Sequence, residues 1–168
     1  MSPKPSPRRT LYTEAERARR DSTKWTLVQG VLAPIQFLVF GLSVVLVLRF
    51  LWTGEGYGAA TVSILVKTAL LYLIMVTGAI WEKVVCGQYL FAPAFFWEDV
   101  VSFAVIALHT FYLYGLITGA LDPAAQMAVA LTAYAAYVVN AAQFLWKLRM
   151  ARLEAEGEAR GAVKGVAA

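Results

Sequence analysis

Four apolar segments, each long enough to cross a lipid bilayer, make up most of this chain and constrain its fold more than any other feature. They are Trp25–Trp52, Tyr57–Trp81, Trp97–Thr118 and Ala124–Trp146. A bilayer core about 30 Å thick is crossed by about 20 helical residues. Each segment reaches that length, so the sequence predicts an all-α integral membrane bundle of four transmembrane helices.

The composition agrees with a membrane protein. Hydrophobic residues make up 60% of the chain and charged residues 15%, whereas soluble domains carry more charge. Too few residues lie outside the spans for a second, soluble domain. The chain is therefore divided into a basic N-terminal segment (1–24), the four-helix domain (25–147) and a tail (148–168). Thr13 and Glu16 have the spacing of a capping box, which predicts a short interfacial helix within the first segment.

The basic residues indicate how the helices are oriented. Seven lysine and arginine residues precede the first span and five follow the fourth, while the loop at 119–123 contains none. Because basic residues accumulate on the cytoplasmic side of a membrane protein, both termini are predicted to be cytoplasmic, together with a long loop at 82–96. The positive charge then faces anionic lipid headgroups, which argues against a nucleic-acid partner.

Polar side chains inside the spans are the main candidates for function, because lipid makes them costly. Counted from the predicted cytoplasmic ends, Gln36, Lys67 and His109 reach similar depths of roughly 17–21 Å. Glu98, His109 and Tyr112 share one face of the third span. A lysine in the middle of a bilayer costs about 2.5–3.5 kcal/mol when it faces lipid, so Lys67 is expected to face the bundle.

A second charged group is predicted at the cytoplasmic mouth of the bundle. It contains Glu82, Lys83, Glu98 and Asp99. Carboxyl groups that meet at one pocket can supply a general acid and a general base. Alternatively, Glu98 and Asp99 cap the third helix, because acidic residues are favoured at a helix N-terminus. With the deeper residues, the group outlines a polar pocket that opens to the cytoplasm.

Four stretches resemble the 3-vinyl-bacteriochlorophyllide hydratase family. They are WTLVQGVLAPIQF at 25–37, VTGAIWEK at 76–83, YLFAPAFFWEDVV at 89–101 and ALHT at 107–110. The resemblance covers about residues 10–150. It implies a hydro-lyase that adds water to the C3 vinyl group of chlorophyllide a or a related bacteriochlorin. The product of that reaction carries a 1-hydroxyethyl group and serves bacteriochlorophyll synthesis.

This chemistry directs the choice of candidate residues. Hydration needs general acid–base catalysis and no redox cofactor, so no cofactor is expected and the only magnesium is that of the pigment. Glu98 and Asp99 are the first candidates for acid and base, and Glu82 is the third. His109 is a candidate for activating water or binding the pigment's magnesium. Residues suited to a polar substituent or to the flat ring are Lys67, Gln36, Trp81, Trp97, Phe96 and Tyr112. The rings of Trp81, Phe96 and Trp97 equally suit a headgroup-level aromatic belt.

Two other functions stay open at this stage. A non-catalytic membrane protein that binds or delivers pigment would use His109 as its magnesium ligand. A small transporter is less favoured, because polar residues become sparse toward the outer ends of the spans. The expected location is the cytoplasmic or intracytoplasmic photosynthetic membrane. The expected partners are pigment and lipid, with a homo-oligomer or contact with other pigment-synthesis enzymes left open.

Overall fold

A computed structural model describes residues 11–166 of the chain, with side chains described as far as residue 157. Residues 1–10 and 167–168, the outer parts of the predicted N-terminal segment and tail, lie outside this range. The described chain forms α1 (Glu14–Ser22), α2 (Lys24–Thr53), α3 (Tyr57–Cys86), α4 (Phe96–Thr118) and α5 (Pro123–Val166). Helices α2 to α5 are each long and apolar enough to cross a membrane. The predicted fold class is confirmed.

Helix α1 begins where the capping box predicts. The Thr13 hydroxyl accepts a hydrogen bond from the Glu16 backbone N–H at 3.3 Å, and the Thr13 N–H donates to the Glu16 carboxylate at 2.8 Å. Thr23 then separates the first two helices and accepts from the Trp25 N–H at 3.4 Å. Helix α1 is therefore a short element of its own, set against the end of the bundle rather than extending α2.

Helices α2 and α3 form an antiparallel pair whose polar contacts cross between them. Gln29 donates to Thr77 at 2.8 Å, and the Ser43 and Ser63 hydroxyls lie 2.7 Å apart. As the residue number rises on α2 it falls on α3, which is the pattern of antiparallel neighbours. Ser43 also lies 2.5 Å from the Tyr134 hydroxyl of α5, so this layer joins three helices.

Helices α4 and α5 form the second antiparallel pair. Asn140 donates to the Ser102 hydroxyl at 2.8 Å, and Gln126 donates to the Tyr112 carbonyl at 2.7 Å. Less extensive contacts between α2 and α5 and between α3 and α4 close the bundle. In lipid such hydrogen bonds are the alternative to unsatisfied polar groups, and they hold the two pairs in register.

Two boundaries differ from those that the sequence predicts. The long loop at 82–96 is shorter, spanning 87–95, because α3 continues past Trp81 until Gly87 ends it with a left-handed φ of 89°. The fourth span does not end its helix at Trp146, because α5 runs on to Val166. Residues 147–156 contain neither glycine nor proline, and their alanine, leucine, glutamate and arginine residues are good helix formers.

Gly115 allows α4 to approach the chain segment that enters α5. A Cβ at this position would lie 2.7 Å from Leu121 Cδ1 and 3.0 Å from Gln126 Oε1. We expect Gly115→Ala to destabilise the protein by about 1–3 kcal/mol, the usual cost of overpacking. Gly41→Ala on α2 is the matched control, because nothing lies within 4 Å of its added Cβ. Thermal unfolding in detergent measures both, and equal melting temperatures would contradict the prediction.

Candidate functional site

Three carboxyl side chains lie buried where α3 and α4 meet the loop at 87–95. Glu82 is in the last turns of α3, and Glu98 and Asp99 are in the first turn of α4. Their exposed fractions are 4%, 5% and 6%. Buried carboxyl groups are rare unless they have partners, so their contacts decide what they can do.

Glu82 and Asp99 form one unit. Their carboxyl groups interact across the α3–α4 contact. Each accepts a backbone N–H from one of two adjacent loop residues: Ala92 donates to Glu82 at 2.5 Å, and Phe91 donates to Asp99 at 2.6 Å. Two carboxyl groups brought together in a buried site hold one proton more readily than two negative charges. The pair is a buried place at which a proton can be held.

The loop that covers this pair has a strained backbone. Phe91 has a φ of 59°, the only positive value at a non-glycine position in the described chain, and this region is costly for a bulky residue. The Phe91 ring is stacked on Phe103 with centroids 5.5 Å apart and contacts Phe96 at 5.6 Å. The ring contacts and the two N–H bonds to carboxyl groups hold the loop in this conformation.

Glu98 stands apart from that pair and faces α5. Its Oε2 lies 3.3 Å from Lys147 Nζ, and Lys147 also donates to the Ala94 carbonyl. The structure thus joins Asp99 to Glu82, and Glu98 to a lysine. The N-cap residue of α4 is Phe95, which makes no side-chain capping bond, and the Asp99 bond goes to the loop. Neither acid makes a side-chain capping bond, although both lie in the first turn of α4, where acidic residues are favoured.

Lys83, which the sequence places in the same cluster, lies outside it. Its ammonium group donates to the Gly87 carbonyl at 2.8 Å and lies 5.4 Å from the centre of the Tyr89 ring. The residue is exposed and makes no ion pair with Glu82, Glu98 or Asp99 in the described chain. An interfacial lysine that caps the end of its own helix explains these contacts.

The predicted open mouth is closed in this structure. Tyr12, Phe95 and Trp81 pack together at this end of the bundle, with Phe95 lying 6.0 Å from Tyr12 and 5.6 Å from Trp81 between ring centres. Burial raises the pKa of Tyr12 to about 12, so its hydroxyl stays neutral. The rings of Phe96 and Trp97 instead lie on the outside of α4, 44% and 68% exposed. Trp81 is therefore part of the seal, and the other two face the surroundings of the bundle.

The second polar group lies deeper in the bundle. Lys67 has no exposed surface, as predicted, and donates to the Gln36 carbonyl oxygen. Its ammonium nitrogen lies 3.6 Å from the centre of the Tyr137 ring. No carboxylate forms an ion pair with Lys67 in the described chain. The amide nitrogen of Gln36 is buried without a hydrogen-bond partner, so two donors meet here with one acceptor.

His109 adjoins this group and has one free ring nitrogen. Its Nδ1 lies 2.8 Å from the Val105 carbonyl, which can only accept, so Nδ1 carries the proton. In the neutral ring Nε2 then has the lone pair, and it is buried without a partner in the described chain. Such a nitrogen can bind a metal ion or accept a proton from water. Tyr112 lies one turn further on and is fully buried, away from the carboxyl groups.

Sequence reasoning missed two contributors to these groups. Lys147 was predicted only to contribute to the orientation of the helices, although it follows the interfacial Trp146 at the same predicted level as Glu98. Tyr137 was not predicted, because counting from Trp146 places it only about 14 Å deep, whereas Lys67 lies about 21 Å deep. The Phe91 and Ala92 contacts involve backbone N–H groups, for which no residue type gives a signal.

An apolar groove elsewhere does not belong to either group. It measures about 470 Å³ and lies between α2 and α3, toward the ends joined by the turn at 54–56. Its wall consists of Val39, Leu42, Leu46, Gly58, Ala59, Val62, Ser63 and Val66. The carboxyl groups lie at the opposite end of the bundle.

Comparison with known proteins places the chain in a family. The 2-vinyl bacteriochlorophyllide hydratase family matches residues 12–150. A 2-vinyl bacteriochlorophyllide hydratase of Rhodobacter capsulatus is 71% identical over 160 residues, which cover 95% of this chain and 93% of the relative. The protein of the same name from Cereibacter sphaeroides is 72% identical over 151 residues, covering 90% and 94% respectively. No solved structure matches significantly. The chain is a member of the 2-vinyl bacteriochlorophyllide hydratase family.

Proposed function

We propose that this multi-pass membrane protein hydrates the vinyl group of a bacteriochlorophyllide by general acid–base catalysis at Glu82, Asp99 and Glu98. The 2-vinyl group of the family name is the 3-vinyl group of current ring numbering. The observation that supports this site is the buried carboxyl pair, Glu82 with Asp99, beside the ion-paired Glu98. It places a proton holder and a carboxylate next to each other, which are the two parts that hydration needs.

The reaction divides into two proton transfers. The Glu82–Asp99 pair gives its proton to the terminal vinyl carbon, and the positive charge that forms on the carbon next to the ring is delocalised by the macrocycle. Water attacks that carbon while Glu98 accepts one of its protons. One proton leaves the pair and one arrives on Glu98, so the sum is the addition of one water.

Asp99 returns the site to its starting state. It neighbours Glu98 along α4 and interacts with its charge, and it contacts Glu82 on α3. A proton on Glu98 can therefore pass back to the pair after product leaves. The reaction as written needs no redox cofactor, and its magnesium belongs to the pigment.

The distance between the two polar groups suits a macrocycle. Glu98 and His109 lie on the same buried face of α4, eleven residues apart, which corresponds to about 16 Å along the axis. Five covalent bonds separate the magnesium from the end of the vinyl group, or less than about 8 Å. The His109 side chain leans toward the carboxyl groups, because helical side chains point back toward the N-terminus of their helix. We place the pigment's magnesium at His109 Nε2, with its vinyl group directed toward the carboxyl groups.

Binding requires the loop at 87–95 to move. The Phe91 and Ala92 N–H groups occupy the oxygens of Asp99 and Glu82, and the substrate must replace them. The exposed rings of Phe96 and Phe103 lie beside this loop and offer a flat apolar surface. We place the reaction in the cytoplasmic or intracytoplasmic membrane, where a poorly soluble pigment is available.

The alternative function is pigment binding or delivery without chemistry. It is favoured by one observation, the unpartnered Nε2 of His109, which suits a magnesium ligand whether or not a reaction follows. The two functions differ in the fate of the pigment. Incubation of the detergent-solubilised protein with chlorophyllide a in oxygen-18 water, followed by mass spectrometry, distinguishes them. A product that has gained one labelled water supports the hydratase, and unchanged pigment that co-purifies supports the carrier.

The carboxyl groups can be tested by isosteric substitution. We expect Glu82→Gln, Asp99→Asn and Glu98→Gln to lower kcat about a hundredfold or more, the usual contribution of a general acid or base. The amides keep an oxygen that can accept the loop N–H groups, so the protein should still fold. Glu55→Gln, in the turn at the other end of the bundle, is the control and should keep wild-type turnover. Wild-type rates in the three site variants would remove these residues from the mechanism.

His109 is tested by comparing two pigments. We expect His109→Phe to weaken binding of chlorophyllide a about tenfold or more, or about 1.4 kcal/mol, because the variant lacks the magnesium ligand. The metal-free pigment should bind the variant and the wild type equally. Absorbance titration in detergent measures both affinities. Equal losses for the two pigments would show that the ring acts by packing alone.

Lys67 is tested for substrate binding and for its cost to the fold. We expect Lys67→Met to raise KM, because the ammonium group is available to a propionate or carbonyl of the pigment. We also expect its melting temperature to rise, because the variant removes a buried charge that has no carboxylate partner in the described chain. Steady-state kinetics and thermal unfolding give the two values. A raised melting temperature with unchanged KM would assign Lys67 no part in binding.

A further inference from the structure

Lys147 joins the candidate site from a different helix and touches two of its parts. Its ammonium nitrogen lies 3.3 Å from Glu98 Oε2 and donates a hydrogen bond to the Ala94 carbonyl at the end of the loop. The same nitrogen lies 5.5 Å from the centre of the Phe95 ring. The side chain is 26% exposed and that of Glu98 is 6% exposed, so the contact is largely shielded from solvent.

We propose that Lys147 is a positioning residue for the hydration, acting through Glu98. This inference rests on the proposed function. By its ion pair, Lys147 fixes the position of the Glu98 carboxyl group, and by its bond to Ala94 it ties the loop end to α5. It touches neither the pigment nor the reacting atoms in this mechanism.

The arrangement keeps the two proton-handling groups distinct. Glu98 faces Lys147 from α5 and Asp99 on its own helix, and the Glu82 carboxyl group of α3 lies beyond Asp99. Oε2 of Glu98 has no hydrogen-bond donor of normal geometry in the described chain, so the lysine charge is its main compensation. Without that charge, Glu98 would be a buried, unpaired carboxylate next to a pair that holds a proton. Glu98 would then lose the contact that fixes its orientation.

Lys83 is an interfacial lysine that makes no ion pair with the buried carboxyl groups in the described chain. It lies on α3 at the same end of the bundle, is exposed, and bonds to the Gly87 carbonyl of its own helix end. Both lysines follow an interfacial tryptophan closely in the sequence and both lie over an aromatic ring. Only Lys147 reaches a buried carboxylate. Lys83→Met is therefore a matched control for Lys147→Met.

The test compares steady-state kinetics of Lys147→Met, Lys147→Arg and Lys83→Met with the wild type. We expect Lys147→Met to lower kcat about tenfold or more while KM changes little, since an interaction that serves the chemical step affects kcat. Lys147→Arg keeps the positive charge and should recover most of the turnover. Lys83→Met should turn over at the wild-type rate.

A double variant shows whether Lys147 acts through Glu98. If it does, Lys147→Met combined with Glu98→Gln should be no slower than Glu98→Gln alone, because coupled residues lose their effects non-additively. Multiplied losses would overturn the inference. Wild-type kcat in Lys147→Met, or a change in KM alone, would overturn it too. In either case the wild type would still hydrate the pigment and the proposed function would stand.

Lys147→Gln separates charge from loop attachment. Its amide can still donate to Ala94 but carries no charge, and it replaces the Met variant if that variant shows no unfolding transition in detergent. A lowered kcat in Lys147→Gln, with a wild-type melting temperature, supports the inference. A wild-type kcat in this variant contradicts it. Failure of the wild type itself to convert chlorophyllide a would instead remove the proposed function.

Discussion

The cost of a polar group in lipid governs how this bundle is put together. Inside the bilayer an unpaired hydroxyl or amide has no water to bond, which favours contacts between the polar residues of neighbouring helices. Ser43, Ser63 and Tyr134 meet in one layer, and Asn140 and Ser102 meet in another. Such bonds contribute only about 0.6 kcal/mol each on average. Their larger effect is on register, because sliding one helix past its neighbour would leave several of these groups unpaired at once.

The same cost explains why the deep group could be predicted from the sequence. A lysine in the middle of an apolar span must point into the bundle, and its depth follows from counting residues, so Lys67 and Gln36 were expected at one level. The capping box of α1 was readable for a similar reason, because it depends on residues three positions apart. In each case the prediction depends only on the spacing of residues along the sequence.

The carboxyl site depended on information of a different kind. The path of the loop between α3 and α4 brings Asp99 to Glu82. It also leaves Glu98 to pair with Lys147. That path turns on a left-handed Phe91, a conformation that glycine would have signalled and phenylalanine does not. It also uses backbone N–H groups, which every residue but proline has. The sequence therefore identifies which acids lie at this end of the bundle, but their pairing requires the folded loop.

The two loop N–H groups on Asp99 and Glu82 have a consequence for the resting protein. They fill hydrogen-bonding positions of both carboxyl groups, so these positions are occupied in the absence of pigment. If pigment binds here as proposed, it competes with these N–H groups, and its apparent affinity is the intrinsic affinity multiplied by the fraction of molecules whose loop is already displaced. The same two bonds keep the carboxyl pair away from bulk water until the loop moves. The stability of the loop conformation then sets how readily the proposed site can be occupied.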